Sequence, residues 1–376
     1  MKKILLFIYL NYCFVFLAVS ISAQDFQTVQ DGIEHAKLTR KIKDEPVVIN
    51  LLRLDLSKVR LDVVHAMDAA IGTETTSSMA ARHGAFAAIN AGFFRLDRSI
   101  FAGDAVGVLK IDNNLYSEST NGRIALMISN NADRTEVFIE RANVSDFVTI
   151  KGKDFDVGRN RERKDDDLVI FTNVFHPTTL TANNGVEFVI KNNKIRQIFD
   201  GKGSNRIPPD GYVLSASGKM RKQLLDLIKI GTKVKLFGKH SSPTNFMASS
   251  AYGRSEDITN GVPQLIKNGK IAITWEQEKS SKAFVETRHP RTAVAKLKDG
   301  KFLMVTVDGR QPGTSVGMNL NELAEMLLEL GAVDAMNLDG GGSTTMFLGG
   351  KIVNKPSDKE GERKVSDAIL VFPRRK

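Results

Sequence analysis

The sequence predicts an α+β fold, a β-rich mixed sheet with packed helices that includes one C-terminal βαβ crossover. Three observations predict it. Short apolar, β-branched runs bounded by turn residues recur along nearly the whole chain, as strands do. Two windows, Met220 to Ile228 and Asn319 to Leu330, carry apolar residues at helical spacing. The last third runs strand, helix, strand, which predicts two parallel neighbouring strands joined by a crossover.

The elements follow in order. Pro46 to Leu56 and Val59 to Ala66 alternate enough to be strands, separated by Ser57-Lys58. Ser78 to His83 reads as a short helix, with Ser77 or Ser78 as N-cap and Gly84 as its stop. Ala85 to Asn90 follows as a buried small-residue strand. Gly185 to Ile190 and Lys194 to Ile198 flank Asn192-Asn193, a hairpin signature. Met220 to Ile228 is a helix that Gly231 closes. Lys301 to Val307 is a strand. Asn319 caps the helix ending at Leu330, with Glu322 at the capping-box position. Ala332 to Leu338 is the next strand. Parallel strands open at their carboxyl ends on one edge, where ligands bind. Asp308-Gly309-Arg310 and Asp339-Gly340-Gly341-Gly342-Ser343-Thr344 follow those ends.

Composition narrows the class. The 376 residues are 42% hydrophobic and 26% charged, which excludes collagen-like, coiled-coil and wholly disordered chains. Met1-Lys2-Lys3, the apolar run Ile4 to Val19 and Ser20-Ile21-Ser22-Ala23 have the three-part form of a secretory signal. Residues 1–23 are therefore expected to be a signal peptide and 24–376 a single domain, with no stable membrane insertion after cleavage and a periplasmic or secreted location. The one Cys, Cys13, lies in that signal, so thiol catalysis and disulfides are excluded from the mature chain. The charged segment Lys151 to Asp167 reads as a solvated loop. Its arginines are offset by Asp165 to Asp167 and no aromatics interleave with them, so nucleic acid is not an expected partner.

The motifs point to an anionic ligand. Glycines at 340–342 can expose consecutive N–H groups, and Ser343 and Thr344 add hydroxyls. No Lys follows as a Walker A run needs. Arg291, in His289-Pro290-Arg291-Thr292, and Arg310 are fork donors suited to one phosphate. His289 is a candidate acid or base. Asn90 can orient a sugar hydroxyl or a catalytic carboxylate, and Phe93 can pack on a sugar face. No zinc, nucleophile-elbow or dinucleotide signature is present.

Four blocks together resemble the phosphodiester glycosidase family: Ile89-Asn90-Ala91-Gly92-Phe93-Phe94, His289-Pro290-Arg291-Thr292, Val307-Asp308-Gly309-Arg310 and Asn337-Leu338-Asp339-Gly340-Gly341-Gly342-Ser343-Thr344. Ile207 to Ser215 and Arg363-Lys364-Val365-Ser366 agree more weakly, and the likeness runs from about residue 45 to 373. Gly261-Val262-Pro263 departs from the family's Gly-Gly-Pro, which places a side chain where the family has none. The resemblance implies hydrolysis of the anomeric bond of a sugar 1-phosphodiester, such as one of N-acetylglucosamine, in a small molecule or an envelope glycan. Asp339 or Asp308 would supply the carboxylate, Arg291 and Arg310 would hold the phosphate with the N–H groups of Gly340 to Gly342, and Asn90 and Ser343 would position the sugar. No cofactor is expected to be required, although Asp308 and Asp339 could hold Ca²⁺ or Mg²⁺. The alternatives are a non-catalytic module that binds anionic glycans and a metal-dependent phosphodiesterase that cuts the P–O bond.

Overall fold

The computed structural model describes residues 26–241 and 246–374. The expected signal segment lies outside them. Strands dominate and assemble into an eight-stranded sheet, a seven-stranded sheet, two five-stranded sheets and a two-stranded ribbon.

The eight-stranded sheet carries the segments of interest. Its middle strands run Glu45–Leu54, Phe302–Val307, Arg291–Leu297, Ala332–Asn337 and Gln264–Lys267. The expected parallel neighbours are not neighbours: Arg291–Leu297 lies between Phe302–Val307 and Ala332–Asn337, antiparallel to each. The physical reason is the tight turn after Leu297, which returns the chain as a hairpin before the helix is reached. Two strands antiparallel to a common neighbour still run parallel to each other. Their carboxyl ends therefore open on one edge as expected, and the amino end of Arg291–Leu297 joins them there.

Both faces of this sheet are covered. Ala293, Ala295, Leu303 and Val305 pack against Leu320, Leu323 and Leu327 of the helix Leu320–Glu329. Val294, Met304 and Met336 point the other way, into a core shared with Ile89, Leu126 and Ile369 of the five-stranded sheets. Burial on both faces explains the near-continuous apolar runs. The helix begins with the expected capping box: Asn319 Oδ1 accepts from the Glu322 amide at 2.9 Å and Glu322 Oε2 accepts from the Asn319 amide at 3.0 Å.

Other local expectations are refined. The helix Thr76–His83 is capped by Thr75, whose hydroxyl accepts from the Ser78 amide at 3.2 Å, and Gly84 closes it at φ 68. Ser77, an expected cap, instead donates its amide to Glu362 at 2.8 Å. The Asn192-Asn193 hairpin forms with both residues at positive φ. The helix Gly218–Leu227 stops at Ile228, whose backbone is extended, so Gly231 belongs to a later turn.

The segment 151–167 is not a solvated loop. Lys153–Arg159 is a strand of the seven-stranded sheet. Arg159 is buried against Asp146, Arg161 bridges Glu118 at 3.0 Å and Asp167 at 2.6 Å, and Arg163 donates to Ser215 at 2.7 Å. The charge is paired internally, in part by the aspartates that offset it in sequence. Val262 is likewise a core residue: its amide donates to the Asn337 carbonyl at 3.0 Å, and its carbonyl accepts from the Asn337 side chain at 2.7 Å. No helix among the described residues is long and apolar enough to cross a membrane.

Candidate active site

At the common edge the chain forms a cavity of about 240 Å³, lined by Phe284, His289, Arg291, Arg310, Asp339, the three glycines 340–342 and Arg363. That volume lies just below the ~300 Å³ at which drug-sized sites begin, which suits a compact polar ligand. Segments far apart in sequence meet here because three strand ends share the edge.

Asp339 follows the strand Ala332–Asn337 after one residue, Leu338. Its amide donates to the Ala91 carbonyl at 2.9 Å, and its own carbonyl accepts from the Asn90 side chain at 2.7 Å. The carboxylate is half-buried and receives the Gly340 amide at 2.9 Å. Burial pushes its pKa up to about 6, against Ser343, the Gly340 amide and the charge of Arg363, while Asp367 adds to the rise. A carboxylate that titrates near neutrality is suited to proton transfer.

Arg291 is 1% exposed. Its Nε donates to the Met318 carbonyl at 2.9 Å, and its Nη2 to the carbonyls of Phe284 and Thr287 at 2.9 and 2.7 Å. The short helix Lys282–Glu286 supplies the Phe284 carbonyl, one of the orphan acceptors at a helix end. Nη1 has no partner among the described residues, and it is the nitrogen left for a ligand. Burial, then the neighbouring Arg310, lowers the guanidinium pKa to about 10, so Arg291 remains a cation at neutral pH. Arg310 is exposed, at φ 59, with Nη2 3.4 Å from His289 Nδ1. Burial and the two arginines lower the pKa of His289, which favours a neutral ring.

The glycines act differently from the expected nest. The Gly340 amide is taken by Asp339 and the Gly341 amide by the Pro290 carbonyl at 2.9 Å. Only Gly342 has an amide without a partner among the described residues. What the run provides is space. A Cβ on Gly341 would lie 3.0 Å from Arg310 Nη2, and one on Gly342 would lie 2.2 Å from Arg363 Nη2. Two guanidinium groups thus pack directly on the backbone.

Five expected residues do not line the cavity. Asp308 is 3% exposed, and its Oδ1 accepts from Asn354 Nδ2 at 3.2 Å and the Lys355 amide at 3.0 Å. Burial raises its pKa. It anchors the loop after the strand Lys351–Ile352 and does not face Asp339 across a ligand. Asn90 is fully buried, accepting from Thr292 Oγ1 at 2.8 Å and the Thr345 amide at 3.1 Å, so it holds Asp339 rather than a sugar. Ser343 and Thr344 are buried in the turn. The Ser343 hydroxyl lies by the Asp339 carboxylate without an aligned hydrogen bond. Phe93 lies edge-on to the lining residue Phe284 with ring centres 6.1 Å apart.

Two lining residues escaped the sequence reading of the site. Phe284 carries no motif. Arg363 had a signal only in the closing Arg-Lys-Val-Ser block. It is held by Asp358 through Nε at 2.7 Å and Nη2 at 3.0 Å, a bidentate pair. The donor set does not fit a divalent cation. Hard cations take six or more oxygens, whereas one carboxylate and three guanidinium groups line this cavity. Among the described residues no three His, Cys, Asp or Glu side chains gather as ligands.

Residues 183–372, half of the chain, match the phosphodiester glycosidase family. The chain belongs to that family. Mouse N-acetylglucosamine-1-phosphodiester α-N-acetylglucosaminidase is 29% identical over 182 residues, 45% of this chain and 33% of the mouse protein. The chain thus matches only a third of that relative's length. Two solved structures share the fold at a TM-score of 0.77. One is a hypothetical protein from Synechocystis, 25% identical, covering 92% of this chain and 63% of its own. The other is a putative exported protein from Burkholderia pseudomallei, 26% identical, covering 88% and 74%.

Proposed function

We propose that the chain is an exported hydrolase that cleaves the anomeric C–O bond of a sugar 1-phosphodiester, releasing free sugar and a phosphomonoester, with residues 24–376 acting as one catalytic unit. The observation that carries this is that one carboxylate, Asp339, shares a cavity with three guanidinium groups. Asp339 and the Asp358 that holds Arg363 offset two of those charges. With His289 neutral, one net positive charge remains, matched to the single negative charge of a phosphodiester.

The chemistry follows from those groups. Asp339 takes a proton from water as the water oxygen bonds to the anomeric carbon. The bond from that carbon to the ester oxygen breaks, and its electrons leave with the phosphate. Arg291 Nη1 and Arg310 stabilise the charge that develops there, in a site preorganised by backbone carbonyls. A phosphate leaves without a proton, so the second carboxylic acid of an ordinary glycosidase is not needed. One base and one water imply inversion at the anomeric carbon. No cofactor is required in this scheme. The substrate class is N-acetylglucosamine 1-phosphodiester-like, which the mouse relative's name supports.

The test is release of N-acetylglucosamine from its 1-phosphate methyl ester. Turnover that persists in chelator, and label entering the sugar from ¹⁸O-water, are expected. Label in the phosphate would instead support P–O cleavage, and binding without turnover a non-catalytic module.

A further inference from the structure

We infer that the seven-stranded sheet carries a second glycan-phosphate site, distinct from the catalytic cavity. Two cavities of about 440 and 470 Å³ adjoin on this lobe and share Arg206 and Pro209 as a common wall. Both exceed the catalytic cavity in volume and fall in the range of ligand sites. Neither has a lining residue in common with it.

The first cavity is cationic. Arg196, Arg206 and Lys191 line it, with Gln197, Pro208 and Pro209. The Lys191 charge is matched by Asp210 at 2.7 Å. The arginines are the informative residues. Six lie between Asn143 and Ser241. Arg159, Arg161, Arg163 and Arg221 each bind a carboxylate, hydroxyl or amide acceptor. The side chains of Arg196 and Arg206 have no acceptor among the described residues, and both face this one cavity. Guanidinium groups are the preferred fork donors for phosphate oxygens.

The second cavity is ring-lined. Tyr116 and His176 stand beside Asn173 on its surface, two rings and an amide suited to a sugar, with the fully buried Phe175 beneath them. Its one carboxylate, Asp68, is paired with Arg82 and His83. The shared wall is fixed in place. Asn173 Nδ2 donates to the Pro209 carbonyl at 3.4 Å, the Ile207 amide to Pro177 at 3.0 Å and the Thr179 amide to Asn205 at 3.1 Å. A phosphate on Arg196 and Arg206 with a sugar in the adjoining cavity is the repeat of a sugar-phosphate chain. The ligand class rests on the proposed reaction, deepening it from a single diester to a polymer. The arrangement of the groups does not rest on it.

Binding by calorimetry tests this without turnover, on the full chain carrying Asp339→Asn. The probes are a synthetic trimer of N-acetylglucosamine 1-phosphate and the single-unit methyl ester. Adding Arg196→Ala and Arg206→Ala is expected to weaken the trimer at least tenfold and the methyl ester by less than twofold. Both sites are exposed, and Arg→Gln at each repeats the comparison if an alanine variant misfolds. Unchanged trimer affinity, or equal loss for both probes, overturns the inference. Inorganic phosphate at the trimer's concentration is expected to leave the trimer bound, and full displacement would overturn the sugar half of it. Because no step requires hydrolysis, wild-type chain that binds trimer through these arginines but releases no sugar would sink the hydrolase and keep the site.

Discussion

The side-chain amide of Asn90 donates to the main-chain carbonyl of Asp339 at 2.7 Å, tying the last residue of a five-stranded sheet's central strand to the turn that ends a strand of the eight-stranded sheet. Asn90 has no exposed surface, and its Oδ1 also accepts from Thr292 and the Thr345 amide. Asn90→Ala would leave the buried Thr345 amide and the Asp339 carbonyl unpaired, while the Thr292 hydroxyl keeps only the longer contact to Thr344 Oγ1 at 3.4 Å, which is expected to destabilise the fold by about 2 kcal/mol. Urea unfolding measures that. The Asp339 turn would lose its anchor, so kcat is expected to fall more than KM rises.

Asp339→Asn is expected to reduce sugar release by about 10²–10⁴-fold, the range for a lost acid–base group. In the wild-type chain, activity should fall as pH drops through about 6, where Asp339 takes up its proton. Stability moves the opposite way. Burial raises the folded-state pKa above the ordinary carboxylate value, so the stabilising contribution is complete at low pH and is lost as pH rises through about 6. Asp339→Asn should therefore melt higher than wild type at pH 7.5, with the gap closing toward pH 4. Equal melting temperatures at both pH values would contradict this ionisation.

Much of this site was legible because its chemistry lies at element ends. Asp339, the glycine run, Arg291 and Arg310 stand beside strands whose apolar runs are unambiguous, and the capping box locates the helix between them. Strand order was not legible. Apolar runs buried on both faces carry no information on partners, so nothing in sequence shows Arg291–Leu297 inserting between the other two strands. Asp308 illustrates the same limit. It stands at a strand end as Asp339 does, but its carboxylate turns to Asn354 and Lys355, residues of a loop without apolar periodicity. Arg363 escaped for that reason too, since its partner Asp358 lies in the same loop.

Arg291 and Arg310 are expected to separate structure from binding. Arg310 is exposed and lightly held, so Arg310→Ala should leave the melting temperature nearly unchanged. It should raise KM about 10-fold or more, the range for one lost charge-assisted contact. Arg291→Ala would orphan the carbonyls of Phe284 and Thr287 and leave Met318 only the His289 amide, and is expected to destabilise the chain by at least about 2 kcal/mol. Lost activity in Arg291→Ala is therefore not evidence of a catalytic role unless the melting temperature is measured beside it.

Gly342→Ala tests whether the glycine run exists to admit the guanidinium groups. The added Cβ would meet Arg363 Nη2 at 2.2 Å and Asp358 Oδ1 at 2.3 Å, contacts that no side chain tolerates. Both partners belong to a surface loop, so the fold can yield by displacing the pair rather than by unfolding. Arg363 would then leave the cavity wall it shares with Asp339. A shift of about 1 Å in a positioning group can reduce turnover by about 10²-fold, and a comparable loss is expected with most of the thermal stability kept. The acidic limb of the pH profile should also move upward, because Arg363 favours the ionised carboxylate. If instead Gly342→Ala works at the wild-type rate with the same pH profile, Arg363 has no part in the reaction and the run serves only to turn the chain.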